Sequence, residues 1–187
     1  MEERIIYYDV ETTGLNLYRD KIIEIGAIDN FKNELNILIN PKIKLTPYIT
    51  TLTKINDDML INEKTIEERK EEILKFFDFG NQNQTIISHN NDGFDIIILM
   101  NNLDLKKSDI KSNILCNLKL SRKLSLTNSN RLSVLAQYFN INIVQNHRAL
   151  DDTKLLKKIF KNLVKILKKK NNLEKITMQQ IYDYIYY

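Results

Sequence analysis

The sequence predicts one α/β domain built on a mixed sheet with helices packed against it. Three observations carry that prediction. The chain has 187 residues, enough for a single domain with a sizeable core. Hydrophobic residues make up 43% and charged residues 28%, the balance of an ordinary soluble globular protein. Strands come first along the chain, and strands interleaved with helices follow, the order of a sheet covered by helices.

Arg4 to Val10 is an apolar run of β-branched and aromatic residues that ends at polar residues and Gly14. Both of its faces are apolar, which suits a central buried strand. Thr12 to Asn16 reads as a turn. Lys21 to Asp29 and Glu34 to Asn40 are further strands, and the polar residues Asn30 to Asn33 between them predict an antiparallel hairpin. Pro41 and Pro47 bracket a loop. In Thr65 to Phe79 the residues Ile66, Ile73, Phe76 and Phe77 fall near one helical face, and Gly80 is placed to end the helix. Thr85 to Ser88 and Ile114 to Cys116 are short strands, with a buried helix from Phe94 to Leu103 between them. Arg131 to Phe139 is a helix that buries Leu132, Leu135, Ala136 and Phe139. A long helix from about Ala149 to Lys168 carries Leu155, Leu156, Ile159, Phe160 and Leu163 on one stripe. Asn172 to Tyr187 reads as a last amphipathic helix with Ile176, Ile181, Tyr182 and Ile185. The biased stretch Lys168 to Asn172 divides the chain into a main domain, residues 1–168, and a helical C-terminal extension, residues 169–187.

The net charge is +4 and the pI about 9.0, which mildly favours a polyanionic partner such as nucleic acid. A soluble protein that happens to be basic accounts for the charge equally well. The abundance of Asn, Lys and Ile reads as a bias of an AT-rich genome. A single cysteine, Cys116, excludes an intramolecular disulfide and a cysteine-based zinc cluster. The N-terminal residues are charged and lack the apolar core of a signal peptide. The densest apolar run, Ile96 to Met100, is far too short to span a membrane. The expected location is therefore intracellular and soluble, cytoplasmic above all, with no membrane partner. Because the first strand begins at Arg4, no N-terminal regulatory domain is expected.

Three clusters carry chemistry. Asp9 and Glu11 are two apart at the end of the first strand, so both carboxylates project to one side. They repel unless a cation sits between them, and hard oxygen ligands suit Mg²⁺ or Mn²⁺. A bare pair of this kind is more often a solvated strand end; the buried strand before it and the Thr12-Thr13-Gly14 turn after it favour a site. The second cluster runs from Ser88 to Asp95, where a strand enters a loop and Asp95 opens a buried helix. A helix cap is the plain account of that carboxylate. The third is His147 to Asp152, where a loop histidine suited to act as general base precedes a helix with Asp151 and Asp152 in its first turn. Spacing leaves the choice between those two aspartates open. Together the clusters fit phosphodiester hydrolysis, in which carboxylates hold two metal ions and a base takes the proton from water. No cysteine nucleophile, Walker loop or dinucleotide fingerprint competes.

Tyr8 to Leu15 resembles the first motif of the DnaQ-like, or DEDD, exonuclease superfamily. His89-Asn90 followed by Gly93-Phe94-Asp95 resembles the second, and His147 to Asp152 the third in its histidine-bearing DEDDh form. The likeness covers roughly residues 4 to 165, with weaker similarity over Leu52 to Leu60, Leu118 to Leu124 and Arg131 to Ile141. It implies a ribonuclease H-like fold and 3′→5′ removal of nucleotides from a nucleic acid with a free 3′ end. It implies two Mg²⁺ or Mn²⁺ ions per active site, ligated directly by Asp9, Glu11 and Asp152, with Asp95 as the fourth acid acting in part through water. The family pattern selects Asp152 over Asp151 and makes His147 the general base. It further implies substrate contacts: the backbone of Thr12 on the terminal 3′-hydroxyl, Leu15 wedged against the last bases, Ile55 in the base pocket, and Asn90. The segment from His89 to Asp95 is one residue longer than the commonest family form, which keeps Asp92 as an alternative to Asp95. Cys116-Asn117 stand where the family often has Asp-Thr and receive no role.

DNA is slightly favoured as substrate over RNA; the rival reading is an exoribonuclease or oligoribonuclease, and 2′-hydroxyl contacts would separate the two. A non-catalytic nucleic-acid-binding or polymerase-docking module on the same fold would lack at least one of the five catalytic positions, and all are filled. A polymerase or homodimer partner would use the C-terminal extension, through apolar residues such as Ile181 and Ile185. Packing of that helix on the parent domain is the favoured account. The lysines at positions 157, 158, 161, 165 and 168–170 either steer a phosphate backbone or form a solvated helix face.

Overall fold

The computed structural model describes residues 2–142 and 147–187. Strand β1 (Arg4–Thr12) lies at the centre of a five-stranded sheet. On one side β2 (Ile22–Asp29) and β3 (Glu34–Leu38) continue it antiparallel, as the predicted hairpin. On the other side β4 (Gln84–Ser88) and β5 (Asn113–Cys116) add on in parallel, for an order β3-β2-β1-β4-β5. This is the expected mixed sheet.

Helices α1 (Pro47–Thr53), α2 (Asp57–Leu60) and α3 (Ile66–Phe77) lie between β3 and β4, and α4 (Asp95–Leu103) makes the crossover from β4 to β5. After the sheet come α5 (Asn117–Leu124), α6 (Leu132–Tyr138), α7 (Ala149–Lys170) and α8 (Met178–Tyr186). Strict alternation along β1 feeds two cores. Ile6, Tyr8 and Val10 pack with Phe77, Ile98 and Leu99 of α3 and α4, and Tyr8 meets Phe77 edge-on at 5.2 Å. Tyr7 packs on the opposite face with Leu120, Leu135, Leu156 and Phe160 of α5 to α7. β2 is buried at every position, which is why it reads as a continuous rather than an alternating apolar run.

Several local expectations change. The loop expected between Pro41 and Pro47 is present, and a helix that was not expected follows it: Thr46 caps the backbone N–H of Ile49, and Pro47 occupies the first turn, where its missing N–H costs nothing. α3 begins with a Thr65–Glu68 capping box but ends at Asp78 in a left-handed conformation, before Gly80. α7 runs through Lys168 to Lys170.

The apolar stripe of the C-terminal extension is used on its own domain. Ile181 and Ile185 are buried with Leu163 and Leu167 of α7. Tyr186 donates its hydroxyl to Asp92 at 3.3 Å, and the Lys119 ammonium pairs with the same carboxylate while lying 4.7 Å from the Tyr186 ring centre. Asp92 thus belongs to the seam that holds α8. Lys157 of α7 donates to the backbone carbonyl of Asp29 at 2.9 Å, a packing role and not a steering one. Among the described residues, no helix is long and apolar enough to cross a membrane.

One close approach sets the position of α7. At Gly26 of β2 an added methyl group would overlap the backbone of Ala149 and Leu150, so only glycine lets the first turn of α7 lie flat on the strand. Thr153 locks the contact by donating to the Gly26 carbonyl at 2.8 Å. Gly26→Ala is therefore expected to lower stability by about 1–3 kcal/mol through overpacking. A thermal melt should show a fall in Tm of roughly 2–4 °C per kcal/mol. An unchanged Tm would show that the helix sits less tightly than described.

Candidate active site

Asp9 and Glu11 share the face of β1 that carries Tyr7, with Asp9 opposite Gly26 and Glu11 opposite Glu24 on β2. Because α7 lies on Gly26, its buried Asp152 reaches the same place, while the neighbouring Asp151 is exposed. Asp95, at the start of α4, is buried and enters from the end of β4. His147 arrives with a left-handed backbone (φ 55°) just before α7. All five expected catalytic side chains line one cleft of about 520 Å³. Within it one donor atom each of Glu11, His147 and Asp152 lies within 4.8 Å of the others. The closest group therefore includes His147, expected as a base and not as a ligand, while Asp9 and Asp95 complete the wall.

The electrostatics follow from crowding acids away from water. Burial, then the charges of Asp95, Glu11, Asp152 and Glu24, hold the Asp9 carboxyl well above the usual range. Glu11 is pushed up to about 8 by burial and by Asp152, Glu24 and Asp95, with Arg148 opposing. Burial pushes Asp95 up to about 7. Protonation or a cation relieves such a cluster. The donor set, several hard carboxylate oxygens and one imidazole, fits a divalent metal ion.

The frame around the cluster rests on residues with no expected role. Glu24 is buried on β2 and accepts from Arg148 Nη2 at 2.7 Å, Arg148 Nε at 3.1 Å and the Ala149 backbone N–H at 2.8 Å. It ties down the chain between His147 and Asp152. His89 is half-buried with both ring nitrogens engaged: its Nδ1 lies 3.0 Å from the Asn117 amide and its Nε2 2.9 Å from the Asn130 carbonyl. Burial pushes its pKa down to about 4, so the ring is neutral. Asn117 thereby has a role that the sequence did not disclose. Asn91 accepts from the Tyr8 hydroxyl at 2.6 Å and donates to the carbonyls of Ile86 and Leu115, joining β1, β4 and β5 below the site.

The expected substrate contacts divide. Thr12, Leu15 and Asn90 line the cleft. The Thr12 hydroxyl donates to the Gly14 carbonyl, shaping the turn, and Leu15 is 84% exposed, an apolar side chain offered at the rim. Ile55 does not reach the cleft. It is fully buried with Ile23, Ile49 and Leu60 in a separate small core, and Tyr48 and Leu52 of α1 form that wall instead. The position of α1, an element not read from the sequence, decides this.

A carboxylate-lined cleft at the strand ends of a mixed sheet fits the class of nucleases of ribonuclease H-like architecture. Residues 6–160 match the RNase_T exonuclease family, and the chain belongs to that family within the DnaQ-like group. The expected exonuclease family stands with it. Among curated relatives, the PolC-type DNA polymerase III of Caldanaerobacter subterraneus subsp. tengcongensis is 32% identical over 175 residues, 90% of this chain and 12% of that protein. The PolC-type DNA polymerase III of Bacillus cereus is 32% identical over 179 residues, 87% of this chain and again 12% of the relative. The chain thus spans about an eighth of the curated relatives it matches. Among solved structures, zinc-bound E. coli exonuclease I with single-stranded DNA matches with TM-score 0.77 at 16% identity, over 98% of this chain and 43% of that one. Exonuclease X in complex with 5′-overhanging duplex DNA matches with TM-score 0.66 at 21% identity, over 97% and 98%. At these identities the structural likeness is one of fold.

Two outcomes are expected. Glu24→Ala removes an acceptor of the Arg148 guanidinium and of the buried Ala149 N–H, and chemical denaturation should show a loss of about 2–3 kcal/mol. A loss within a few tenths would mean the contact is dispensable. The second concerns pH. Asp9, Glu11 and Asp95 have raised pKa values in the folded state, so without metal the folded protein binds more protons than the unfolded chain. In EDTA, stability should therefore fall as pH rises from ~5 through about 8. Calorimetric melts across that range should show the fall, and Mn²⁺ should offset it. A Tm that climbs with pH in EDTA contradicts the description.

Proposed function

We propose that this chain is a 3′→5′ exonuclease on DNA that releases nucleoside 5′-monophosphates, with Asp9, Glu11, Asp95 and Asp152 holding two divalent cations, Mg²⁺ or Mn²⁺. The observation that carries this reading is the convergence of these four carboxylates and His147 in one cleft. Bound divalent cations supply Lewis acidity and charge neutralisation at the reacting phosphate. His147 takes the proton of the attacking water, a role open to a half-buried loop imidazole beside Glu11 and Asp152. The water oxygen bonds to phosphorus and the P–O3′ bond breaks. The terminal nucleotide leaves with its 5′-phosphate, and the shortened strand keeps a new 3′-hydroxyl. Thr12 meets the terminal 3′-hydroxyl through its backbone, and exposed Leu15 packs against the last base. DNA is preferred over RNA because the curated relatives are DNA polymerase III proteins.

The test is digestion of 5′-labelled single-stranded DNA and RNA with Mg²⁺ or Mn²⁺, then with EDTA. DNA should shorten from its 3′ end and EDTA should stop it. Asp9→Asn should abolish the ladder, and His147→Ala should slow it on the order of 10²–10⁴-fold. Activity that persists in EDTA, or survives Asp9→Asn undiminished, would sink the reading. RNA shortened faster than DNA would reverse the substrate assignment.

A further inference from the structure

The cleft does not end at the carboxylates. A second hollow of about 940 Å³ opens from it, and the two share Asp9, Tyr48, Leu52, His89, Asn90 and His147. Its far wall is made by α5 and the segment leading into α6, with Arg122, Asn128, Asn130, Arg131 and Ser133. The chemistry of the two hollows differs. The first is walled by acids; in the second, apart from Asp9 at the shared mouth, no carboxylate among the described residues lines the surface. Arg122 and Arg131 are both exposed, and neither pairs with a carboxylate among the described residues.

This wall is held from beneath. Half-buried His89 bridges the Asn130 carbonyl and the Asn117 amide, so the segment carrying Asn130 and Arg131 is fixed to the floor of the active site. The Asn130 side-chain oxygen is buried there without a hydrogen-bond partner. A strand that approaches a cluster of carboxylates brings its own negative charge, and guanidiniums beside the cluster offset that repulsion. The planar fork of arginine also matches two phosphate oxygens at once. On the proposed function, the terminal nucleotide lies on the Thr12 and Leu15 side. The rest of the strand then leaves from the opposite side of the carboxylates, where this hollow begins.

We propose that the hollow is the subsite for nucleotides 5′ of the scissile bond, with Arg122 and Arg131 binding the sugar-phosphate backbone of the substrate strand. The assignment rests on the exonuclease reading and adds the residues that set preference for length. It is tested with Arg122→Gln, Arg131→Gln and the double variant, whose melting temperatures should equal the parent's because both side chains are exposed. Three substrates are compared: a long single-stranded oligodeoxynucleotide, a dinucleotide, and the p-nitrophenyl ester of thymidine 5′-monophosphate, which has nothing upstream of its phosphate. For the long substrate, the double variant should raise KM about tenfold at unchanged kcat. It should also lower the salt slope of log(kcat/KM) by about 1.4, two phosphates at roughly 0.7 each for a single strand. The ester should be turned over as by the parent, and the dinucleotide should lose far less than the long strand. A parent that digests the long strand while the double variant keeps its KM and salt slope overturns the subsite alone. A parent that leaves every substrate intact defeats the exonuclease reading and the subsite with it.

Discussion

Carboxylates gathered at the dry end of a strand repel one another, and most of this architecture is explicable as a way to gather them regardless. Asp9 and Glu11 come from one strand, Asp95 from the start of a helix after β4, and Asp152 from the first turn of α7. Each is held by its own element, so no single side chain has to bend toward the others. Their raised pKa values express the strain of the assembly in water alone. On the proposed function, a divalent cation would convert that strain into binding energy, because the repulsion that disfavours the metal-free site is what the ion would remove.

The geometry depends on how α7 meets β2. Gly26 removes the side chain that would hold the helix off, Thr153 bonds to its carbonyl, and Glu24 satisfies both the arginine and the first backbone N–H of the helix. The residues directly opposite Asp9 and Glu11 on β2 are therefore those that seat the helix carrying Asp152. Seating and chemistry share one patch of sheet. The C-terminal helix closes the far side of the same body, with Asp92, Lys119 and Tyr186 forming its seam at the loop that leads to Asp95. This gives Asp92 a structural task, while Asp95 is the acid of that loop that lines the cleft.

Much of this was legible in the sequence where the signal is local. The apolar run before Asp9 and Glu11, the apolar face of α3 and the apolar stripe of α7 are written in neighbouring residues, and each produced the element read from it. The choice of Asp152 over Asp151 came from the family pattern, and the burial of the one and exposure of the other agree with it. What stayed hidden depends on partners far along the chain. Glu24 looks like any polar residue in a strand until Arg148 is brought beside it, 124 positions away. Asn117 and Asn91 are polar residues without a motif, and their burial makes sense only once His89, Tyr8 and the strand carbonyls surround them. Pro47 serves equally well as a loop boundary or as the first residue of a helix. Thr46 before it was the local sign of the second, and α1 supplies the wall where the resemblance placed Ile55.

The measurement that bears most directly on the central claim, that crowded carboxylates form a cation site, is calorimetric titration of Mn²⁺ into metal-free protein beside Asp9→Asn and Asp152→Asn. The account predicts saturable binding by the parent and at least tenfold weaker binding by each variant. Binding by both variants with the parent's affinity would contradict it.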